Sequence, residues 1–183
     1  MQKTLRIALV YGSAREGRFC DTVVAWVRER VDAHGGFTVD LIDPRDIATG
    51  AAAALAGRID AADAFIVVTP EYNHGYSADL KRVIDMVYEE WQAKPVSFVS
   101  YGGLSGGVRA VEQLRLVFAE LHAVTIRDAV SFANAHDQFD GAGRLRQPER
   151  AQRSISAMLQ ALTWWATVLR FGRRTTPYAS RAA

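Results

Sequence analysis

The segment Gly12-Ser13-Ala14-Arg15-Glu16-Gly17-Arg18 sets two glycines and two arginines between an apolar run, Leu5 to Tyr11, and a stretch with helical apolar spacing. A strand, a glycine-rich turn and a helix start together make an anion site, because the first helical N–H groups lack internal partners and glycine lets backbone approach a ligand. Arginine adds planar forks that match phosphate oxygens. The loop is therefore expected to cradle a phosphate. It fits neither fixed-spacing nucleotide motif: a P-loop ends in Gly-Lys-Ser/Thr and a dinucleotide fingerprint runs Gly-x-Gly-x-x-Gly, and no lysine follows Gly17 here. An ordinary strand-to-helix turn in an arginine-rich chain, whose lysines are Lys3, Lys81 and Lys94, stands as the alternative.

Other reactive residues are sparse. Cys20 is the sole cysteine and opens the first helix, where a dipole lowers a thiol pKa, but Asp21 to Trp26 include no arginine, so it reads as a small buried hydrophobe rather than a phosphatase nucleophile. The four histidines have no metal-ligand spacing, and His74 reads as a rim residue. Gly103-Leu104-Ser105-Gly106-Gly107 has the Gly-x-Ser-x-Gly form of a nucleophile elbow, with Asp128, His122 or His136 as candidate partners in a serine hydrolase.

The elements that must carry these residues follow from apolar patterning. Runs at Leu5–Tyr11, Phe37–Ile42, Ala64–Val68, Val96–Ser100 and about Ala123–Val130 alternate with helical patterns, the mark of a doubly wound α/β fold. Val23, Val24, Val27 and Val31 form one helical face; Leu80, Val83, Ile84, Val87, Tyr88 and Trp91 form another. Further helices are expected around Ala51–Ala61, Val108–Leu121 and Pro148–Phe171. With five parallel strands in the order 2-1-3-4-5 and helices on both faces, the ligand crevice lies between strands one and three. It gathers the first loop, Thr69-Pro70-Glu71-Tyr72-Asn73-His74-Gly75-Tyr76, and Tyr101-Gly102-Gly103 with Gly106-Gly107.

A chain of 183 residues that is 49% hydrophobic suits one well-cored domain, placed at 1–172, with 173–183 as a flexible tail after the Arg170–Arg174 basic run. The formal charge of +2 supplies no field for nucleic acid or an acidic membrane, no window suits a spanning helix, and a single cysteine fits a reducing compartment, hence the cytoplasm. A second apolar stripe, Trp164, Val168 and Phe171, beside the broad face containing Leu80, suggests self-association as a homodimer or homotetramer.

Thr69-Pro-Glu-Tyr-Asn-His-Gly-Tyr-Ser-Ala-Asp-Leu-Lys-Arg-Val-Ile-Asp85 resembles the flavin-contacting segment of the NADPH-dependent FMN reductase family, which includes quinone, azo and chromate reductases. Gly12-Ser13-Ala14-Arg15 resembles its phosphate loop, and Tyr101-Gly102-Gly103 its third flavin loop; the likeness spans about Leu5 to Leu121. It implies a flavodoxin-like fold and FMN as cofactor. The phosphate is assigned to Ser13, Arg15 and Arg18 with the main chain of 14–19, and the ring to Pro70, Glu71, Tyr72, Asn73, Gly102 and Gly103. Phe19 and Cys20 stand where many relatives have serine or asparagine, at the last phosphate contacts.

The implied reaction passes hydride from NADPH or NADH through FMN to a small-molecule acceptor at the same face: a quinone, azo compound, metal oxyanion or free flavin. It requires no side-chain acid or base and no metal, since the cofactor performs the difficult step. Arg15, Arg18 and Arg109 are each candidates for the 2′-phosphate that separates NADPH from NADH or for partners elsewhere, so the sequence leaves the choice of nucleotide open. The rival from the binding class is a flavin-bound electron carrier or redox sensor without turnover.

Overall fold

Strands β1 (Leu5–Tyr11), β3 (Ala64–Pro70) and β4 (Pro95–Tyr101) are apolar at nearly every position, as strands covered on both faces must be, and β3 and β4 are buried throughout. The edge strands β2 (Phe37–Ile42) and β5 (Val124–Phe132) mix buried and exposed positions. A computed structural model, which describes residues 4–47 and 52–178, pairs them all in parallel in the order β2-β1-β3-β4-β5. The expected sheet is present, with β3, β4 and β5 each running one or two residues further than their apolar cores.

Among the described residues, five helices of eight or more residues cover it. α1 (Cys20–His34) and α5 (Glu149–Thr175) pack on one face, where Val23, Val27, Met158 and Leu162 meet Ile7, Leu9, Ile66 and Val68. α2 (Ala52–Ala61), α3 (Ala78–Asp85) and α4 (Val108–Glu120) pack on the other, where Leu55, Ile84, Leu114 and Phe118 meet Val10, Phe65, Val67 and Phe98. Strand alternation divides the two cores, since successive side chains point to opposite faces. The helices following β1 and β3 leave on opposite faces, which opens the crevice between those two strands.

Two expectations are corrected. The helical face drawn from Leu80 to Trp91 is broken: α3 stops at Asp85, and Glu89–Trp91 form a separate 3-10 turn. The break folds Trp91 back into the core, fully buried, with its ring nitrogen donating to the Ile84 carbonyl at 3.2 Å and its ring against Phe65 and Phe118. The Arg170–Arg174 run is not a solvated tail, because α5 continues through the expected boundary at 172 to Thr175. Arg170 pairs with Asp63 at 3.1 Å and Arg173 donates to the Ala93 carbonyl at 2.6 Å, which ties the last turns to the amino ends of the strands. Ala51, at the expected start of α2, and residues 179–183 lie outside the described residues.

Candidate functional site

The first loop is folded onto β3. Gly12 N–H donates to the Val68 carbonyl at 2.7 Å, and a Cβ there would stand 2.5 Å from that oxygen and 2.7 Å from the Thr69 Cα, so only glycine fits. Ser77 donates to the Gly12 carbonyl at 2.6 Å and also caps α3, accepting from Leu80 N–H at 3.1 Å. One serine thus fixes the loop and starts a helix. By contrast, no side chain caps the first turn of α1. Its N–H groups face the loop with the positive end of the helix dipole behind them, as an anion requires.

Ser13 is fully buried, and its hydroxyl lies 2.8 Å from the Tyr72 hydroxyl, which joins the first loop to the second. The Arg15 guanidinium lies over the Tyr72 ring, 3.6 Å from its centroid. Arg45, which the sequence did not single out, donates to the Ala14 carbonyl at 3.2 Å and to that of Arg15. Asp79, at the start of α3, accepts from the Ala14 N–H at 3.3 Å.

Arg18, expected among the phosphate contacts, is turned inward. It donates to Asp21 at 2.8 Å, to Asp43 at 2.8 Å and a second shorter contact, and to the Ser13 carbonyl. Burial alone would lower its pKa, but the two carboxylates outweigh it and push the value up. Burial would raise the Asp43 carboxyl; Arg18 and the Arg45 N–H hold it below the usual range. Arg18 is therefore a strut that shapes the loop, with its charge matched inside the protein.

Phe19 and Cys20 also turn inward. Phe19 stacks near His136, with centroids 4.3 Å apart, and near Phe139 and Tyr101. Cys20 is fully buried, donating to the Val68 carbonyl at 3.6 Å, and burial pushes its thiol up. That is the buried hydrophobe expected of Cys20; at this end of the cradle the main chain, not these side chains, faces the loop.

The second loop leaves β3 at Pro70 and turns at Asn73 and His74, whose φ values of 49° and 76° lie in the left-handed region. Tyr72 and Gly75 close the turn by exchanging backbone hydrogen bonds of 2.9 and 3.1 Å. Glu71, expected at the ring, lines the cavity beside this loop and is also tied to the third loop: its carboxylate accepts from Ser105 at 2.6 Å and from Arg109 at 2.9 Å. Burial would raise it, and these donors hold it below its ordinary value.

The Ser105–Glu71 bond also decides the elbow. A hydrolase needs a histidine base on the serine, whereas this hydroxyl is committed to a carboxylate already neutralised by Arg109. His122 bonds to Tyr178 at 2.7 Å and His136 stacks on Phe19, so neither completes the expected triad. Gly106 and Gly107 have structural reasons of their own: positive φ, and Cβ positions 2.3 Å from Ser131 and 2.7 Å from Ser100.

Between the second and third loops lies a cavity of about 370 Å³ lined by Pro70, Glu71, Tyr72, Tyr101, Gly102, Gly103 and the segment 134–137. That last wall was missed. It is held by Asn134 and Ala135 N–H donating to the carbonyls of Gly103 and Gly102 at 2.8 and 3.1 Å, backbone bonds that no sequence motif announces. A Cβ on Gly103 would meet nothing within 4 Å, so this side of the loop is open. The uncapped α1 start and a cavity walled by Pro70, Tyr72, Tyr101, Gly102 and Gly103 fit a planar ring carrying one phosphate.

Comparison with known proteins agrees with this geometry. A sequence model described as NADPH-dependent FMN reductase matches residues 5–137. An NAD(P)H-dependent FMN reductase of Schizosaccharomyces pombe is 34% identical over 122 residues, which cover 57% of this chain and 61% of that one. A probable NADPH:quinone oxidoreductase of Oryza sativa subsp. japonica is 28% identical, with 90% of both chains covered. Among solved structures, the NAD(P)H:acceptor oxidoreductase FerB of Paracoccus denitrificans superimposes with a TM-score of 0.72 at 20% identity, covering 89% of this chain and 97% of that one, a likeness of fold.

Proposed function

Because the chain belongs to the NADPH-dependent FMN reductase family, we propose that it is an FMN-dependent NAD(P)H oxidoreductase serving a small acceptor of the quinone, azo, metal-oxyanion or free-flavin class. The observation that carries this reading is a cavity between the loops after β3 and β4 whose wall residue Tyr72 is joined, through the Ser13 hydroxyl at 2.8 Å, to the loop after β1 beside an uncapped helix start.

The phosphate falls to Ser13, Arg15 and the main chain of 14–20, with Arg18 bracing the loop from inside. The flat ring falls to Pro70, Tyr72, Asn73, Gly102 and Gly103, with Glu71 holding the second and third loops in register. Bound FMN would supply hydride acceptance and donation, chemistry that none of these side chains performs. The residues position and exclude water: Arg15, lying on Tyr72, must shift if a ring is to use that face, and the 134–137 wall narrows the mouth. Phosphate contacts are worth about 1.5–3 kcal/mol each before ordering costs, so ring contacts are needed as well for tight binding.

No described helix is long and apolar enough to cross a membrane. The reading places the enzyme in the cytoplasm as a homodimer or homotetramer. Support for self-association comes from α5, where Trp164, Val168 and Phe171 are 59%, 43% and 69% exposed at helical spacing. Anaerobic mixing of the FMN-loaded protein with NADPH tests the activity. Bleaching of the flavin band within seconds supports an enzyme, and a band that persists supports a carrier.

A further inference from the structure

The three arginines that the sequence offers for a 2′-phosphate are all engaged. Arg15 lies on Tyr72, Arg18 is clamped by Asp21 and Asp43, and Arg109 is paired with Glu71. A second cavity, of about 820 Å³, adjoins the ring cavity and shares Asn134 and Asp137 with it. It lies between the end of β5 and the start of α5, and Arg146, Arg150 and Arg153 line it. All three are exposed.

Several surface arginines are matched by carboxylates, Arg28 by Asp32, Arg58 by Asp40 and Arg144 by Asp140, and others, Arg82, Arg127 and Arg174, stand without such a partner among the described residues; what distinguishes this groove is that three arginines converge on it. Among the described residues, no ion pair or side-chain hydrogen bond engages Arg146, Arg150 or Arg153. Two acids, Asp137 and Glu149, also line the groove, so it keeps an excess of positive charge. The first turn of α5 forms part of the wall and has no side-chain cap. Unmatched guanidinium groups around a groove next to an active cavity favour a dianionic phosphate monoester, which they bind through paired charge-assisted hydrogen bonds.

We propose that this groove receives the 2′-phosphorylated adenosine end of NADPH while the nicotinamide end lies at the ring cavity, so that Arg146, Arg150 and Arg153 select NADPH over NADH. The inference rests on the function proposed above but concerns residues outside the flavin loops. A phosphate monoester near neutral pH carries close to two negative charges, which NADH lacks at this position.

The test has two arms. On flavin-free protein, calorimetry compares 2′,5′-ADP with 5′-AMP, for wild type and the variant carrying Arg146→Gln and Arg150→Gln. The variant should lose about tenfold or more in affinity for 2′,5′-ADP and little for 5′-AMP. On FMN-loaded protein, its KM for NADPH should rise about tenfold or more, with kcat and the KM for NADH within about twofold, and Arg150→Lys should recover part of the loss. Equal losses for both nucleotides, or no loss for either, overturn the proposal. FMN affinity, measured in parallel, should be unchanged, and its absence in wild type would strike the proposed function while the first arm still reads the groove.

Discussion

The Tyr72 hydroxyl lies 2.8 Å from the Ser13 hydroxyl, so the residue expected beneath a flavin ring is bonded to the residue expected beside its phosphate. The residues proposed for the two ends of the ligand thus belong to one connected unit spanning β1 and β3. Ser13 is fully buried and has few other ways to satisfy its hydroxyl. Tyr72→Phe keeps the ring and leaves Ser13 without this partner. Fluorescence titration should show FMN affinity reduced about fivefold to tenfold, near the 1–1.5 kcal/mol of a lost hydrogen bond, and Tyr72→Ala should cost more.

Asp79 brings a carboxylate to the cradle itself, accepting from the Ala14 N–H at 3.3 Å. At the second position of α3 it benefits from that helix dipole, yet it also occupies an amide that a phosphate would use. Asp79→Asn keeps the side-chain oxygen and removes the charge. FMN affinity should rise by about threefold to tenfold, while riboflavin, which has no phosphate, should bind as before.

Arg18 and Asp43 form an ion pair whose side chains are 3% and 18% exposed. The Asp43 carboxyl is held below its unfolded value, so its stabilising share is fully present above about pH 4 and is lost as pH falls through the lower folded-state value. Asp43→Asn should lower Tm at pH 7 by about 5–10 °C, for a loss near 2–3 kcal/mol. Thermal melts taken downward from pH 7 should show the gap between the two proteins narrowing once pH falls below the ordinary carboxylate value near about 4; a gap that stays constant would assign the effect to packing instead.

The sheet was legible in the sequence because strands covered on both faces must be largely apolar, and β1, β3 and β4 are, broken only by Arg6, Thr69, Ser97 and Ser100. The break between α3 and Trp91 was not, since Val87, Tyr88 and Trp91 keep helical spacing and only the Trp91 pocket among Phe65, Phe118 and Ile84 breaks the helix. In the site, the glycines and Tyr72 were legible by position, being residues a simple connection does not need. Arg18 and Glu71 were named as ligand contacts from their loop positions and the family resemblance, which show a charge without its partner. The partners, Asp43 and Ser105 with Arg109, lie 25 to 38 residues away and meet them only in the fold. The wall at 134–137 is built by backbone hydrogen bonds, which leave no trace in side-chain type.

Ser105 separates the redox reading from the hydrolase reading. Ser105→Ala removes a donor to Glu71 and loosens the tie between the second and third loops, which should raise the apparent Kd for FMN about twofold to fivefold. NADPH oxidation should persist, and wild-type protein should not be labelled at Ser105 by a fluorophosphonate probe.

The central claim is that a planar ring with one phosphate lies across the mouths of β1, β3 and β4. Titration of flavin-free protein with FMN, followed in the visible spectrum, tests it most directly. The account predicts saturable one-to-one binding with a shifted flavin band, weakened by Tyr72→Ala and by Arg15→Ala. A protein that stays colourless after dialysis from excess FMN, with no spectral change during the titration, would contradict it.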